Sequence, residues 1–120
     1  MAFRSWANNL VAGDTNAKVD IFLKDTQSGQ ITMVSTDSQG AQANGDSDRM
    51  AISADGRYVA FRSSATNLAA GDTNGKWDEF VKDTQTGTSV CFTCQGDGDS
   101  GWPSISPDGR YVTFPSYATN

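Results

Sequence analysis

The residues best equipped for chemistry lie in a loop that occurs twice. Gly13-Asp14-Thr15-Asn16-Ala17-Lys18-Val19-Asp20 returns as Gly71-Asp72-Thr73-Asn74-Gly75-Lys76-Trp77-Asp78. The spacing Asp-x-Asn-x-x-x-Asp is that of the opening ligands of a calcium loop. Calcium takes six to eight hard oxygens from carboxylates, amides, carbonyls and water. Asp14, Asn16 and Asp20 would supply three in one copy, and Asp72, Asn74 and Asp78 three in the other. Two features count against an ion. A Lys (Lys18, Lys76) stands at the fifth position, and no Glu closes the loop at the twelfth, where Asp25 and Asp83 fall in the next predicted turn. The competing reading is that these Asp and Asn side chains cap turns of their own backbone. Ca2+ is the one cofactor that the residues raise.

Other chemistry has less support. The chain contains no His for general acid–base work. It shows neither a Gly-x-Ser-x-Gly elbow nor a Ser/Lys pair. The acidic pairs Asp46/Asp48 and Asp97/Asp99 sit in Gly/Ser-rich links, which suit turn or solvent roles better than two carboxylates held across a pocket. Trp6, Trp77 and Trp102 would line a sugar-binding surface or pack between sheets, and packing is the expectation. Cys91 and Cys94 form Cys-Phe-Thr-Cys. On a strand, residues i and i+3 face opposite ways, so the expectation is one core thiol and one near-surface thiol, with a local disulfide as the alternative. A zinc site would need further Cys or His ligands. The expectation is therefore a protein that is not an enzyme.

Composition agrees. With 120 residues the chain makes one ordinary domain at most. Hydrophobic residues are 37%, and Gly, Asp, Thr, Ser and Asn are abundant, which suits short strands joined by polar turns. The net charge is −5 with scattered Lys and Arg, so no basic footprint for nucleic acid is present. No apolar run approaches the ~20 residues of a membrane span, and the N-terminal residues lack the pattern of a signal peptide.

The elements that must position these residues are written in the repeat. The segments beginning at Phe3 and Phe61, 58 residues apart, are identical at 19 of 30 positions. Residues 47–61 and 100–114, 53 apart, are identical at 9 of 15. Self-similarity of this kind marks stacked supersecondary units. The repeat regions run from about 3 to 60 and about 61 to 113, with a third copy opening at 114–120. Within a unit, Met50–Ser53 and Arg57–Ser63 flank Asp55-Gly56, a hairpin signal. A long polar loop leads to the strand Trp77–Lys82, a turn Asp83–Gly87, and a last strand Thr88–Thr93. The first unit repeats the last two as Val19–Lys24 and Gln30–Ser35, and the third repeats the first two as Pro103–Ser106 and Arg110–Phe114. Four short antiparallel strands in meander order, repeated radially, make a β-propeller. The expected fold is all-β, with about two propeller blades per chain.

The cores Ile52-Ser53-Ala54-Asp55-Gly56-Arg57-Tyr58-Val59-Ala60-Phe61 and Ile105-Ser106-Pro107-Asp108-Gly109-Arg110-Tyr111-Val112-Thr113-Phe114 resemble the WD40-like PD40 repeats of TolB-type propellers. The flanking Asn-Leu-x-Ala-Gly-Asp-Thr-Asn-x-Lys-x-Asp-x-Phe-x-Lys-Asp-Thr-Gln-x-Gly is similar to a long-loop form of that repeat in bacterial, often exported, proteins. The resemblance covers nearly the whole chain. It implies six to eight blades in a complete ring and a mainly non-catalytic role in scaffolding, partner binding or support of an enzyme domain. Glu79 departs from the pattern, standing where the first copy has Ile21, and an edge or surface position would tolerate it.

Two sheets side by side leave two apolar flanks open, and repeat units bury their faces only against neighbours. Either missing sequence or oligomerisation must then complete the ring. Three copies would give six blades, the favoured assembly, and two would give four. Phe114-Pro115-Ser116-Tyr117-Ala118-Thr119-Asn120 matches residues 3–9 in register at four of seven positions, so one chain could complete a unit begun by the next. The functional expectation is a non-catalytic scaffold or partner-binding module. The alternatives are a Ca2+-stabilised propeller that binds glycan or peptide, and the propeller domain of a larger hydrolase.

Overall fold

The computed structural model describes residues 1–7, 9–11, 13–14, 16–69, 75–94, 96, 98–99 and 101–116. The described residues are all-β, with nine strands and no helix. No helix is therefore long and apolar enough to cross a membrane. The strands are β1 (Ala2–Ser5), β2 (Asp20–Lys24), β3 (Ile31–Met33), β4 (Ser47–Ile52), β5 (Tyr58–Ser63), β6 (Asp78–Asp83), β7 (Ser89–Cys91), β8 (Ser104–Ile105) and β9 (Val112–Thr113). They form three antiparallel meanders: β1-β2-β3, β4-β5-β6-β7 and β8-β9.

The repeat unit fixes register through its turns. Asp55 Oδ1 accepts the Arg57 amide at 3.0 Å and the Ser53 hydroxyl at 2.8 Å, while Ser53 Oγ accepts the Tyr58 amide at 3.0 Å. Gly56 supplies the φ of 74° that closes this turn. Ser106, Asp108 and Gly109 rebuild it between β8 and β9, with the same φ at Gly109. These bonds hold both Asp carboxyls below their usual range: in Asp55 chiefly through the Arg57 amide, in Asp108 chiefly through the Ser106 hydroxyl. With the turn set, the β5–β6 pair runs from Tyr58↔Asp83 to Ser63↔Asp78 without a break.

Apolar positions then face one another between sheets. Ile21 and Val34 from the first meander join Val59, Phe61 and Phe80 from the second, closed over by Ala43, Ala65, Leu68 and Cys94. Phe61 and Phe80, direct cross-strand partners, stack with centroids 5.7 Å apart. Phe3 and Phe22 repeat this pair on the first sheet, also at 5.7 Å. Such offset aromatic pairs add to what burial alone gives.

Two expectations change. The strand predicted from Met50 begins at Ser47 and carries a bulge between Asp48 and Ala51, with Arg49 at φ 51°. The bulge adds a residue and re-aims the strand, which an alternation count does not register. The strand predicted over 88–93 stops at Cys91, because the chain bends there and a disulfide joins Cys91 to Cys94 across a Cα separation of 5.9 Å. Both thiols are therefore used, contrary to the expectation of two separate ones, and the bend removes the opposite-face geometry on which that expectation rested.

Gly45, in the link between the first two sheets, lies against the backbone of Ser64 and Ala65; a Cβ there would stand 2.8 Å from the Ala65 nitrogen. Backbone cannot swing aside as a side-chain tip can. Gly45→Ala is expected to lower unfolding stability by about 1–3 kcal/mol, read as a shift in urea midpoint at unchanged slope.

Candidate functional site

The repeated Asp/Asn loop enters β2 by a set of specific bonds. Asn16 Nδ2 donates to Asp20 Oδ1 and to the Ala43 carbonyl, both at 3.0 Å, and Asn16 Oδ1 accepts the Lys18 amide at 3.2 Å. Ala17, between them, is held at φ 56°, where the second copy has Gly75 at φ 68°. Gln42 Nε2 donates to the Gly13 carbonyl, fixing the start of the loop to the same link. Asp20 Oδ1 also accepts the Ser35 hydroxyl at 2.7 Å, and Ser35 Oγ accepts the Ile21 amide. Asn16 thus works as a brace, and Asp20 anchors the first residue of β2.

Two carboxylates in this loop are only partly satisfied. Asp14 is 8% exposed and Asp20 wholly buried, and Oδ2 of each is buried without a hydrogen-bond partner. Burial pushes the Asp20 carboxyl up; the Ser35 and Asn16 bonds pull against it, and the Asp14 and Asp46 carboxylates add to the rise. Of the residues predicted to ligate a metal, Asn16 and Asp20 are thus bonded to one another at the start of β2, and the Asp14 carboxylate is near enough to act on Asp20. Asp72 and Asn74 lie outside the described residues. Asp78 is buried and accepts the Thr93 hydroxyl at 2.7 Å, as Asp20 does from Ser35.

The link acids are more ordered than their Gly/Ser-rich setting suggests. Asp46 Oδ1 accepts the Val19 amide at 2.9 Å, and Asp99 Oδ1 accepts the Trp77 amide at 3.0 Å. Both tie a link back to the residue that precedes the third-position strand of the sheet before it. The repeat offset places Asp46 and Asp99 opposite one another in an alignment, which is the signal that could have found them. Asp48 is paired twice, with Arg62 at 2.9 Å and with Arg4 at 3.8 Å.

Other candidates resolve into structure. The Asp78 carboxylate and the Cys91 and Cys94 sulfurs lie within 4.8 Å of one another, but sulfurs joined in a disulfide offer no thiolate to a metal. Trp6 and Trp102 are 77% and 65% exposed, so the expected packing between sheets is not met in this chain. Trp102 lies under the Arg49 guanidinium at 5.1 Å, and Trp77 under that of Arg62 at 4.3 Å. Lys82, 6% exposed, donates from Nζ to Thr36 Oγ1 (2.8 Å), to the Asp37 carbonyl (2.9 Å) and to the Thr36 carbonyl (3.3 Å), stitching the second sheet to the end of the first. Burial draws this ammonium below its usual value.

Glu79 is the least expected side chain. It lies on β6, interior to its sheet and 1% exposed, not at an edge or surface. Neither carboxyl oxygen has a hydrogen-bond partner. Burial raises its pKa to about 8, against the pull of Arg62, its direct cross-strand partner. The side chain is tolerated at neutral pH by staying protonated. An acid whose folded pKa lies above its unfolded value binds its proton more tightly in the native state, so stability falls as pH rises from about 4.5 through about 8. Replacing it by the residue of the first copy, Glu79→Ile, removes this dependence. The advantage of the Ile chain over the parent should widen by about 4 kcal/mol between pH 4.5 and pH 8.5, measured by urea unfolding at each pH; a constant gap would contradict the assignment.

No family model and no curated protein matches this chain.

Proposed function

We propose that the chain is a two-blade portion of a PD40-type β-propeller acting as a non-catalytic scaffold or partner-binding module, with its ring closed by further copies of itself. One comparison carries this reading. Val34 and Phe92 are the same repeat position, 58 residues apart. Val34 is 1% exposed, covered by the four-stranded sheet that follows it, whereas Phe92 is 48% exposed, because only the β8–β9 pair follows. Val90 beside it is 47% exposed. The result is a groove of about 860 Å³ with Val81, Val90 and Phe92 on one wall and Tyr111, Val112 and Phe114 on the other.

The occupant that fits is a sheet of the chain's own kind. Inside the chain, the Phe61/Phe80 pair covers Ile21 and Val34. The Phe3/Phe22 pair on the first sheet has the same spacing and the same cross-strand register. A second copy would lay the partly exposed Phe3, backed by the buried Phe22, against the groove beside β9. Repeat units of this kind gain most of their stability from neighbour interfaces. The non-catalytic part of the reading rests on where the acids go: Asp25, Asp46, Asp55, Asp83, Asp99 and Asp108 each accept backbone amides at turns or links.

Light scattering on a sizing column tests the assembly. Three copies of the 12.8 kDa chain, about 38 kDa, are expected for a six-bladed ring. Phe92→Asp should shift the mass toward one copy without unfolding the second sheet. A folded monomer for the parent chain would overturn closure by copies, as would an unfolded or polydisperse sample, which would place the covering sheet in a longer chain.

A further inference from the structure

We propose that the buried, unpartnered Oδ2 atoms of Asp14 and Asp20 at the start of β2 bind a divalent cation, with calcium the ion they suit. This assignment is independent of ring closure.

The argument starts from two orphaned oxygens. Asp14 is 8% exposed and Asp20 fully buried, and each keeps one carboxylate oxygen, Oδ2, that is buried with no hydrogen-bond partner. Several other carboxylates find partners, Asp48 in Arg62, Asp83 in Arg57 and Asp55 in an amide and a hydroxyl, while the buried Glu79 is kept protonated instead. A polar atom taken out of water and left unpaired costs free energy, and a charged one costs more. Here the charged neighbours that act on Asp20 are themselves acids, Asp14 and Asp46. Neighbouring carboxylates that repel one another are the condition that a 2+ ion relieves.

The loop is also tied down by specific bonds. Asn16 clamps Asp20 Oδ1 and the Ala43 carbonyl, Gln42 clamps Gly13, and Asp46 Oδ1 holds the Val19 amide. Ser35 donates to Asp20 Oδ1. These bonds engage Asp20 through Oδ1 and leave Oδ2 for another partner. The donors are all hard oxygens, the type taken by calcium or magnesium and passed over by softer metals. Calcium tolerates an irregular shell completed by carbonyls and water, whereas magnesium demands a near-ideal octahedron. In this assignment Asp14 and Asp20 are ligands, and Asn16 is a positioning residue.

The test is isothermal titration of the whole EDTA-treated chain with CaCl2 and, separately, MgCl2, paired with thermal melting in each. Saturable calcium binding is expected, tighter than magnesium by at least about tenfold, with a higher melting temperature in calcium. Asp14→Asn should abolish the binding and the thermal shift, while Asp37→Asn, outside this loop, leaves both unchanged. If Asp14→Asn fails to fold, Asp14→Glu, which keeps the charge but displaces the oxygens, should weaken binding at least about tenfold. No heat and no thermal shift in the parent chain at millimolar calcium would overturn the proposal. So would binding that survives unchanged in the folded Asp14 variant.

Discussion

The structure depends on one apolar layer. Ile21 and Val34 reach from the first sheet to meet Val59, Phe61 and Phe80 of the second, and Ala43, Ala65 and Leu68 from the connecting segments close over that seam. A single small sheet cannot bury enough surface to stand alone, because its strands expose both faces until something packs on each. The first sheet therefore needs the second, and the second needs something on its far side. There Val90 and Phe92 stand half exposed, although the matching Val34 of the first sheet is sealed. The proposed assembly follows from this asymmetry.

Around the seam, polar bonds hold the strands at the right height. The Ser-x-Asp-Gly turns set the register of the first two strands of a unit, and Asp46 and Asp99 tie each link back to the residue before β2 or β6 of the preceding sheet. Lys82 crosses between sheets to a cluster of oxygens at 36–37. Arg57 reaches Asp83 with two nitrogens, at 3.2 and 3.0 Å, chiefly accounting for an Asp83 carboxyl held down at about 2. Bidentate pairs of this type fix geometry as much as they add energy. The acids that a reader of the sequence might enlist for catalysis are thus mostly committed to folding, which is why the functional reading turns to surfaces.

Much of the architecture was legible because it was written more than once. The strands over Asp20–Lys24, Tyr58–Ser63 and Asp78–Asp83 lie where alternation and the Asp-Gly turns put them. What escaped had no repeated signal or opposed the local one. The bulge at Arg49 is an extra residue that alternation absorbs silently. The Cys91–Cys94 bond needed a bend that strand propensity argues against. Glu79 reads as a surface residue because its type is usually exposed, yet its place in the meander buries it and keeps it neutral. Of the six predicted metal ligands, Asn16 and Asp20 are bonded to one another, but the sequence could not show that Asn16 acts as a clamp while Asp14 and Asp20 each keep a buried oxygen without a hydrogen bond.

The central claim is that the open face of the second sheet is covered by the first sheet of another copy. It is tested most directly by isotope-filtered NMR on a mixture of labelled and unlabelled chains. The account predicts intermolecular NOEs between the Val90 methyls of one copy and the Phe3 ring protons of another. Val90 methyls that show only own-chain and water contacts, in a sample that remains folded, would contradict it.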